Sequence, residues 1–489
     1  MNYKLRSLVA ATLAGSLMLG FGANAMADST DDIINALIGK GVLTEEEGAL
    51  LMRGRTGEKE AAAQKKESAI SASFKDGISW ESGDKQNKMS INGRVQLDYR
   101  SFSEENSVQQ ADTFDTRRAY LGAKGTFFNN YDFEVTYNGA NASGSDLYQA
   151  WLNARYWNAV QFKFGQFKQP MNMEELGSSR FLNFTERSFV SALAPSVDRG
   201  VQIHGVPVKG LTYAVGVFNG VGFNAGGMTA NDAISVAGAH GDGKSITGRV
   251  TANIAEFLEN KNAVFHLGAA YSQSDENTNV AGFVMRTEGR GANVLTTNGF
   301  TALSSTNKGY DLDRTGLEAA VAYGPVKFQS EYFKAEFNPD GNTALVTGAV
   351  AGQSYDVDAW YAAVNWMISG ESYADTYKDG LFGGRMKPKN DFTGTGSGLG
   401  AWEIGVRLSK FDGSDFAAAQ TATSTTITAP VVVAEYNEAK SYTFGLKFIP
   451  NPNSRYMISY VKTDMDCVAT VTCTSDEEKA VNLRAQFDF

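Results

Sequence analysis

The chain predicts an all-β fold: a transmembrane antiparallel β-barrel of about 16 strands, preceded by a short helical N-terminal periplasmic extension. Three observations carry this expectation. From Met89 to Phe489 apolar and polar residues alternate with a period of two, as in MSINGRVQLDYRSF. There Ile91, Val95, Leu97 and Tyr99 share one face, and Asn92, Arg94, Gln96, Asp98 and Arg100 the other, so one face meets something apolar and the other water. The 489 residues include 51 Gly, 30 Phe and 20 Tyr but only 9 Pro, and beyond the extreme amino terminus no apolar run approaches twenty residues. A helical membrane span is excluded on that ground, whereas strands alternating between lipid and water need no such run. Finally, tight connections alternate with long ones, the asymmetry expected of a barrel with short periplasmic turns and long outer loops.

Residues 1–27 read as a signal peptide. Lys4 and Arg6 precede the apolar run Leu8 to Phe21, and Ala25-Met26-Ala27 supplies the small-residue cleavage pattern. Cleavage before Asp28 removes two cations and no acids, so a net charge of −10 becomes −12, which does not suggest nucleic acid as a partner. Residues 28–68 change to a helical pattern. Ile33, Ile34, Leu37 and Ile38 form a stripe ended by Gly39 and Gly41, Thr44 with Glu47 makes a capping box, and GEKEAAAQKKES is helix-forming with little to bury. A periplasmic extension or linker is the simpler reading, and a small oligomerising or wall-binding module the alternative.

Residues 69–489 hold the barrel. Alternating runs start near Met89, Thr113, Asn130, Asp146, Ala159, Arg199, Leu211, Lys244, Asn262, Gly309, Pro325, Asp356, Leu399, Glu435, Ser454 and Glu478, an even number, as closure with both ends in the periplasm requires. Their phase turns Ile91, Val95, Leu97, Phe162, Phe164, Trp360, Val364, Trp366, Phe444 and Leu446 to lipid. Connections are tight at Asn129-Asn130, Trp157-Asn158, Lys209-Gly210, Gly324-Pro325 and Pro450 to Asn453. Residues 370–398 break the rule: parity puts this long Gly-rich stretch in the periplasm, so either a pair of strands hides there or the inner loop is long.

The stretch Phe164 to Gly205 joins two amphipathic strands through a connection far longer than usual, in which Lys168, Arg180, Arg187 and Arg199 lie among acids and Phe181, Phe184 and Phe189. A loop of that length is functional or disordered, and its aromatic content argues against disorder. Its ordered elements FGQFKQP, NFTERSFV and APSVDRGVQIHG resemble the phosphate-selective porins O and P. That resemblance implies a 16-stranded outer-membrane barrel, a homotrimer, and passage of small anions with phosphate favoured. GGRMKPKN, at Gly383 to Asn390, resembles the same family and favours a long inner loop. VNLRAQFDF, ending on Phe489, resembles the terminal strand read by the barrel-assembly machinery.

Carried through every strand, the alternation gives an acidic protein a basic interior, in which Arg94, Arg118 and Arg155 line the water path with the loop's Lys168, Arg180, Arg187 and Arg199. A low-dielectric wall focuses such a field on anions, and guanidinium forks match phosphate oxygens. The competing reading is that the arginines merely pair with inner carboxylates and fill the lumen. Cys467 and Cys473, the only cysteines, are read as a disulfide within one loop of an exported chain, and two thiolates without a third ligand make a poor metal site. The expectation is a passive outer-membrane channel for small anions, without catalytic residues, metal or cofactor, embedded in outer-membrane lipid. A general porin or one for another anionic nutrient is the alternative. From other classes come an outer-membrane hydrolase (a phospholipase or protease), for which His204, His240 and His266 offer little, and a structural or adhesive barrel plugged by its amino-terminal helices.

Overall fold

Strands whose side chains alternate in polarity cannot stand alone, because each leaves a row of backbone donors and acceptors that lipid cannot satisfy; closure into a barrel pairs them all. In the computed structural model sixteen strands do this in sequence order: β1 (Lys88–Phe102), β2 (Thr113–Phe127), β3 (Tyr131–Asn138), β4 (Asp146–Ala154), β5 (Gln161–Lys168), β6 (Val197–Val208), β7 (Leu211–Phe218), β8 (Ser245–Asn253), β9 (Ala263–Glu276), β10 (Tyr310–Tyr323), β11 (Val326–Pro339), β12 (Tyr355–Met367), β13 (Ala401–Asp412), β14 (Glu438–Asn451), β15 (Ser454–Asp466) and β16 (Asp476–Asp488). Each pairs antiparallel with the next, and β16 returns to β1 through Ala485↔Leu97 and Phe487↔Val95, closing the sheet. The structure describes residues 29–53, 70–74, 77–103, 110–140, 146–219, 244–276, 284–296, 300–302, 310–339, 343–345, 354–416, 436–467 and 475–489; the expected signal peptide lies outside them.

The faces follow the expected phase. Val95, Leu97, Phe162, Phe164, Val364, Trp366 and Phe444 are exposed on the outside, with Ile91, Trp360 and Leu446 half-exposed beside them. Arg94, Gln96, Asp98, Arg407, Lys447 and Arg484 are buried within. Outward aromatics gather at both ends of the apolar band, with Trp366, Trp402, Phe448 and Tyr456 at the end of short turns and Tyr332, Trp360, Tyr442 and Tyr460 at the other, the girdles of a membrane barrel.

Residues 368–400 form one long connection between β12 and β13, with no barrel strands. It contains a 3₁₀ turn at Ala374–Thr376 and a ribbon pairing Tyr377–Lys378 with Leu381–Phe382. Tyr373 is buried against Val264, Ala322, Met367, Ala401 and Ile449, and Arg249 donates to the Gly380 carbonyl at 2.9 Å, so the ribbon fills the short-turn end of the lumen. The amino-terminal helices, Ser29–Gly39 and residues 45–53, meet at the capping box: Thr44 N donates to Glu47 Oε2 at 3.0 Å and Glu47 N to Thr44 Oγ1 at 3.2 Å.

Candidate functional site

The connection after β5 enters the barrel because the wall offers seats for both kinds of its side chains. Asn172 caps a helical turn, Met173–Leu176, whose Met173 and Glu174 amides donate to the two carboxylate oxygens of Glu331 on β11, each at 2.9 Å. Glu174 then accepts from Ser188 N at 3.0 Å, Ser188 Oγ at 2.6 Å and Ser191 Oγ at 2.9 Å, folding the loop on itself. A second helical turn, Phe189–Leu193, buries Phe189, Val190 and Leu193 in one cluster with Phe333 and Phe411 of the wall. Phe184 lies on Gly405 and Gly445, which face each other across β13 and β14; a Cβ at Gly445 would stand 2.8 Å from the ring. Phe181 sits beneath the Arg455 guanidinium, 5.1 Å away.

Charge fixes the remainder. Glu186 receives Arg117 at 2.8 Å and Arg484 at 3.0 Å, with Arg290 at 3.8 Å. Burial pushes its carboxyl up, but these three guanidinium groups outweigh burial and hold it well below the usual range. Arg484 also clasps Asp98 through two bonds of 2.7 Å. Arg407 meets Glu288 at 2.6 Å and Glu174 at 3.4 Å. Glu175 is shared by Lys168 at 3.4 Å and Arg187 at 3.3 Å; burial opposes its ionisation, and Arg187 and Lys168 overcome it, so its pKa is lowered.

The seven residues nominated from sequence therefore separate. Lys168 and Arg187 are fastened to Glu175 and to loop carbonyls: Lys168 donates to the carbonyls of Glu175 and Gly177, and Arg187 to Glu174 O at 3.0 Å and Gly177 O at 2.8 Å. Arg94 and Arg118, both buried, make no ion pair among the described residues. Arg94 stacks 4.4 Å over Tyr120 and reaches Ser178 at 3.5 Å, and Arg118 donates to Gln96 at 2.9 Å. Arg180 donates to Asn92 at 2.8 Å and lies, with Arg187, within electrostatic range of Arg94. Arg199 donates to Gln166 at 3.0 Å. Arg155 stands apart, exposed at the turn after β4 and paired with Asp132 at 3.2 Å. Cys473 lies outside the described residues.

Sequence reasoning missed three groups. Arg117 neighbours an inward residue and by strict alternation points to lipid, but the β1–β2 register passes from Gln96↔Arg118 to Leu97↔Thr116, and this bulge lets Arg117 turn in to Glu186. The ribbon of Val284–Arg286 and Asn293–Thr296 brings Glu288 to Arg407, Ser409 and Thr443; TEGRG at its tip, with Arg290 at φ 67°, is a turn signal that went unread. The third is the role of Glu331, which the alternation turns inward without showing that it seats the Met173 and Glu174 amides. Loop and wall leave a space of about 50 Å³ lined by Glu174, Phe184, Lys327, Phe382 and Arg407 among others.

Residues 89–489 match the family described as phosphate-selective porin O and P. The chain belongs to that family. As a phosphate-selective porin O and P member it is a passive, anion-selective channel of the outer membrane and not an enzyme. Porin O of Pseudomonas aeruginosa is 23% identical over 438 residues, which cover 85% of this chain and 91% of that one. Solved barrels of similar fold include the outer-membrane channel DcaP of Acinetobacter baumannii, 12% identical over 82% of this chain and 97% of that one with a TM-score of 0.47. Another is an anion-selective porin from Comamonas acidovorans, 11% identical over 82% and 100% with a TM-score of 0.47.

Proposed function

We propose that phosphate is the favoured solute and that it passes the inward loop along the edge where Arg94, Arg118 and Arg180 lie, with Arg199 acting from β6. The observation that carries this reading is the neutral holding of Arg94 and Arg118: their partners are a tyrosine ring, a serine and a glutamine. Neither is ion-paired to a carboxylate among the described residues, although Arg118 lies within electrostatic range of Glu186, so their charge can act on a passing anion. Lys168 and Arg187 instead hold the loop, and Arg155 contributes at the mouth of the short-turn end. A signal peptide over residues 1–27, a homotrimer, insertion by the barrel-assembly machinery and a Cys467–Cys473 link in the last outer loop belong to the same reading.

Chloride current through single channels, measured while inorganic phosphate is titrated in, tests it. Phosphate should block the current, and Arg94→Gln with Arg118→Gln should weaken that block about tenfold or more, as the loss of charge-assisted bonds implies. Block unchanged in the double variant sinks the assignment. The pairing of Arg407, Arg484 and Arg187 with acids favours one alternative, a general anion pore, which would show chloride current with no phosphate block in the unaltered protein.

A further inference from the structure

On the short-turn side of the inward loop the wall carries one cation that neither the loop nor a carboxylate holds. Lys163 lies on β5 between the outward, exposed Phe162 and Phe164 and therefore faces the lumen. Its ammonium rests 3.8 Å over the Trp151 ring of β4 and 4.6 Å from the Phe167 ring, and it makes neither an ion pair nor a hydrogen bond among the described residues. A ring attracts a cation without neutralising it, so the ammonium keeps its charge and its donors for the lumen. Directly opposite stand Asn153 on β4 and Gln202 on β6. Asn153 is spent, accepting from His204 at 2.9 Å and donating to Gln161 at 2.9 Å. Gln202 Oε1 and Trp151 Nε1 are buried with no hydrogen-bond partner, and a half-turn of the Gln202 amide presents its NH2 in place of that oxygen. Unsatisfied polar atoms beside an unpaired ammonium are costly, and a visiting polar ligand relieves that cost.

The acids in reach are matched by other cations. Asp132 takes Arg155 at 3.2 Å and the Thr126 hydroxyl at 2.7 Å. Glu134 takes the Thr136 hydroxyl at 3.0 Å and stands directly opposite Lys124, and Asp379 of the ribbon lies 3.7 Å from Lys378. Lys163 is left without a counterpart, and Glu134 and Asp132 reach it only through space. One rung of the sheet runs from Lys163 through Asn153 and Asp132 to Thr126 on β2. Thr126 is six positions nearer the short turns than Tyr120, on which Arg94 leans. At about 3.3 Å per residue the two levels stand about 20 Å apart along the strands, so one small oxyanion cannot hold Arg94 and Lys163 together.

We propose that Lys163, with the Gln202 amide beside it, is a second oxyanion station on the short-turn side of the inward loop. Phosphate then crosses two sites in series, first the edge of Arg94 and Arg118 and then Lys163; the inference rests on the phosphate reading above. The experiment records chloride current through channels inserted in one orientation while inorganic phosphate is added to one side at a time. Lys163→Gln should weaken block from the short-turn side about tenfold, the loss of one charge-assisted bond, and leave block from the long-loop side as it is. Lys163→Arg should keep the block, and Gln202→Leu should weaken it on the same side only. Lys209→Gln, at the neighbouring turn, should change nothing. If Lys163→Gln does not insert, Lys163→Met keeps the stem on the Trp151 ring and makes the same comparison. Unchanged block from the short-turn side overturns the station and leaves the phosphate reading standing. Equal weakening from both sides marks a general loss of lumenal charge and overturns it too. No block from either side in the unaltered protein removes the phosphate reading and the station together.

Discussion

Arg94 and Arg187 lie close enough to feel each other's charge, yet their partners give them opposite duties. Arg94 leans on a ring and a hydroxyl, so Arg94→Gln should lower the anion-to-cation permeability ratio while leaving conductance steps discrete. Arg187 is bound to Glu175 and two loop carbonyls. Removing one member of a buried pair costs about 3 kcal/mol, less here because Lys168 still faces Glu175. Arg187→Gln should therefore produce noisy, fluctuating openings with little change in reversal potential; a large change in reversal potential with quiet openings would exchange the two roles. Acid should release the same loop only late. The Glu186 and Glu175 carboxyls are both held below their usual values in the folded state. The stabilisation they lend is therefore complete above the unperturbed glutamate value, roughly 4.3, and is lost as the pH falls through the lower folded values. Single-channel conductance should stay level from neutrality to about pH 5 and become unstable below; loss of steady conductance above that range would mean that these pairs are not the loop's anchors.

The inward loop is an element whose seat was only half legible. Its length, its phenylalanines and its charges mark it as folded and functional, and the period-two runs correctly turn the wall's arginines inward. What alternation cannot state is which carboxylate across the barrel each arginine meets, because Arg484 and Asp98 are 386 positions apart and are neighbours only through closure. A bulge is equally invisible to a strict period, which turns Arg118 inward and leaves Arg117 facing lipid. The glycines of the wall become intelligible once the loop is placed: Gly405 and Gly445 face each other under Phe184. Gly445→Ala puts a methyl carbon 2.8 Å from that ring, too close for either to remain. It should lift the loop's midpoint and raise conductance, with a smaller effect when combined with Phe184→Ala. Additive effects of the two changes would show that Phe184 does not rest on this glycine.

At the scale of the molecule an acidic chain, −10 over its full length, encloses a lumen rich in arginine, and the two facts fit because of where the acids go. Asp98, Glu186, Glu288, Glu403 and Asp488 inside are consumed in pairs, whereas Glu336, Asp356, Asp412, Glu438, Asp464 and Glu477 sit on the outward rim, across the wall from the conduction path. Rim charges act on an entering ion through water and are screened within about 10 Å at 0.1 M salt and 3 Å at 1 M. Arg94 and Arg118 are buried at the wall and are screened much less. Raising salt should accordingly remove the repulsion of anions by the rim before it removes the attraction by the lumen. The permeability ratio should retain an anion preference at 1 M in the unaltered protein, and the variant Arg94→Gln with Arg118→Gln should lose it there. Reversal potentials of both proteins across salt gradients at low and high ionic strength provide the comparison. If the unaltered channel is unselective at high salt, or if the variant keeps the same preference, selectivity arises from the outer surface and the inner arginines serve only to brace the loop.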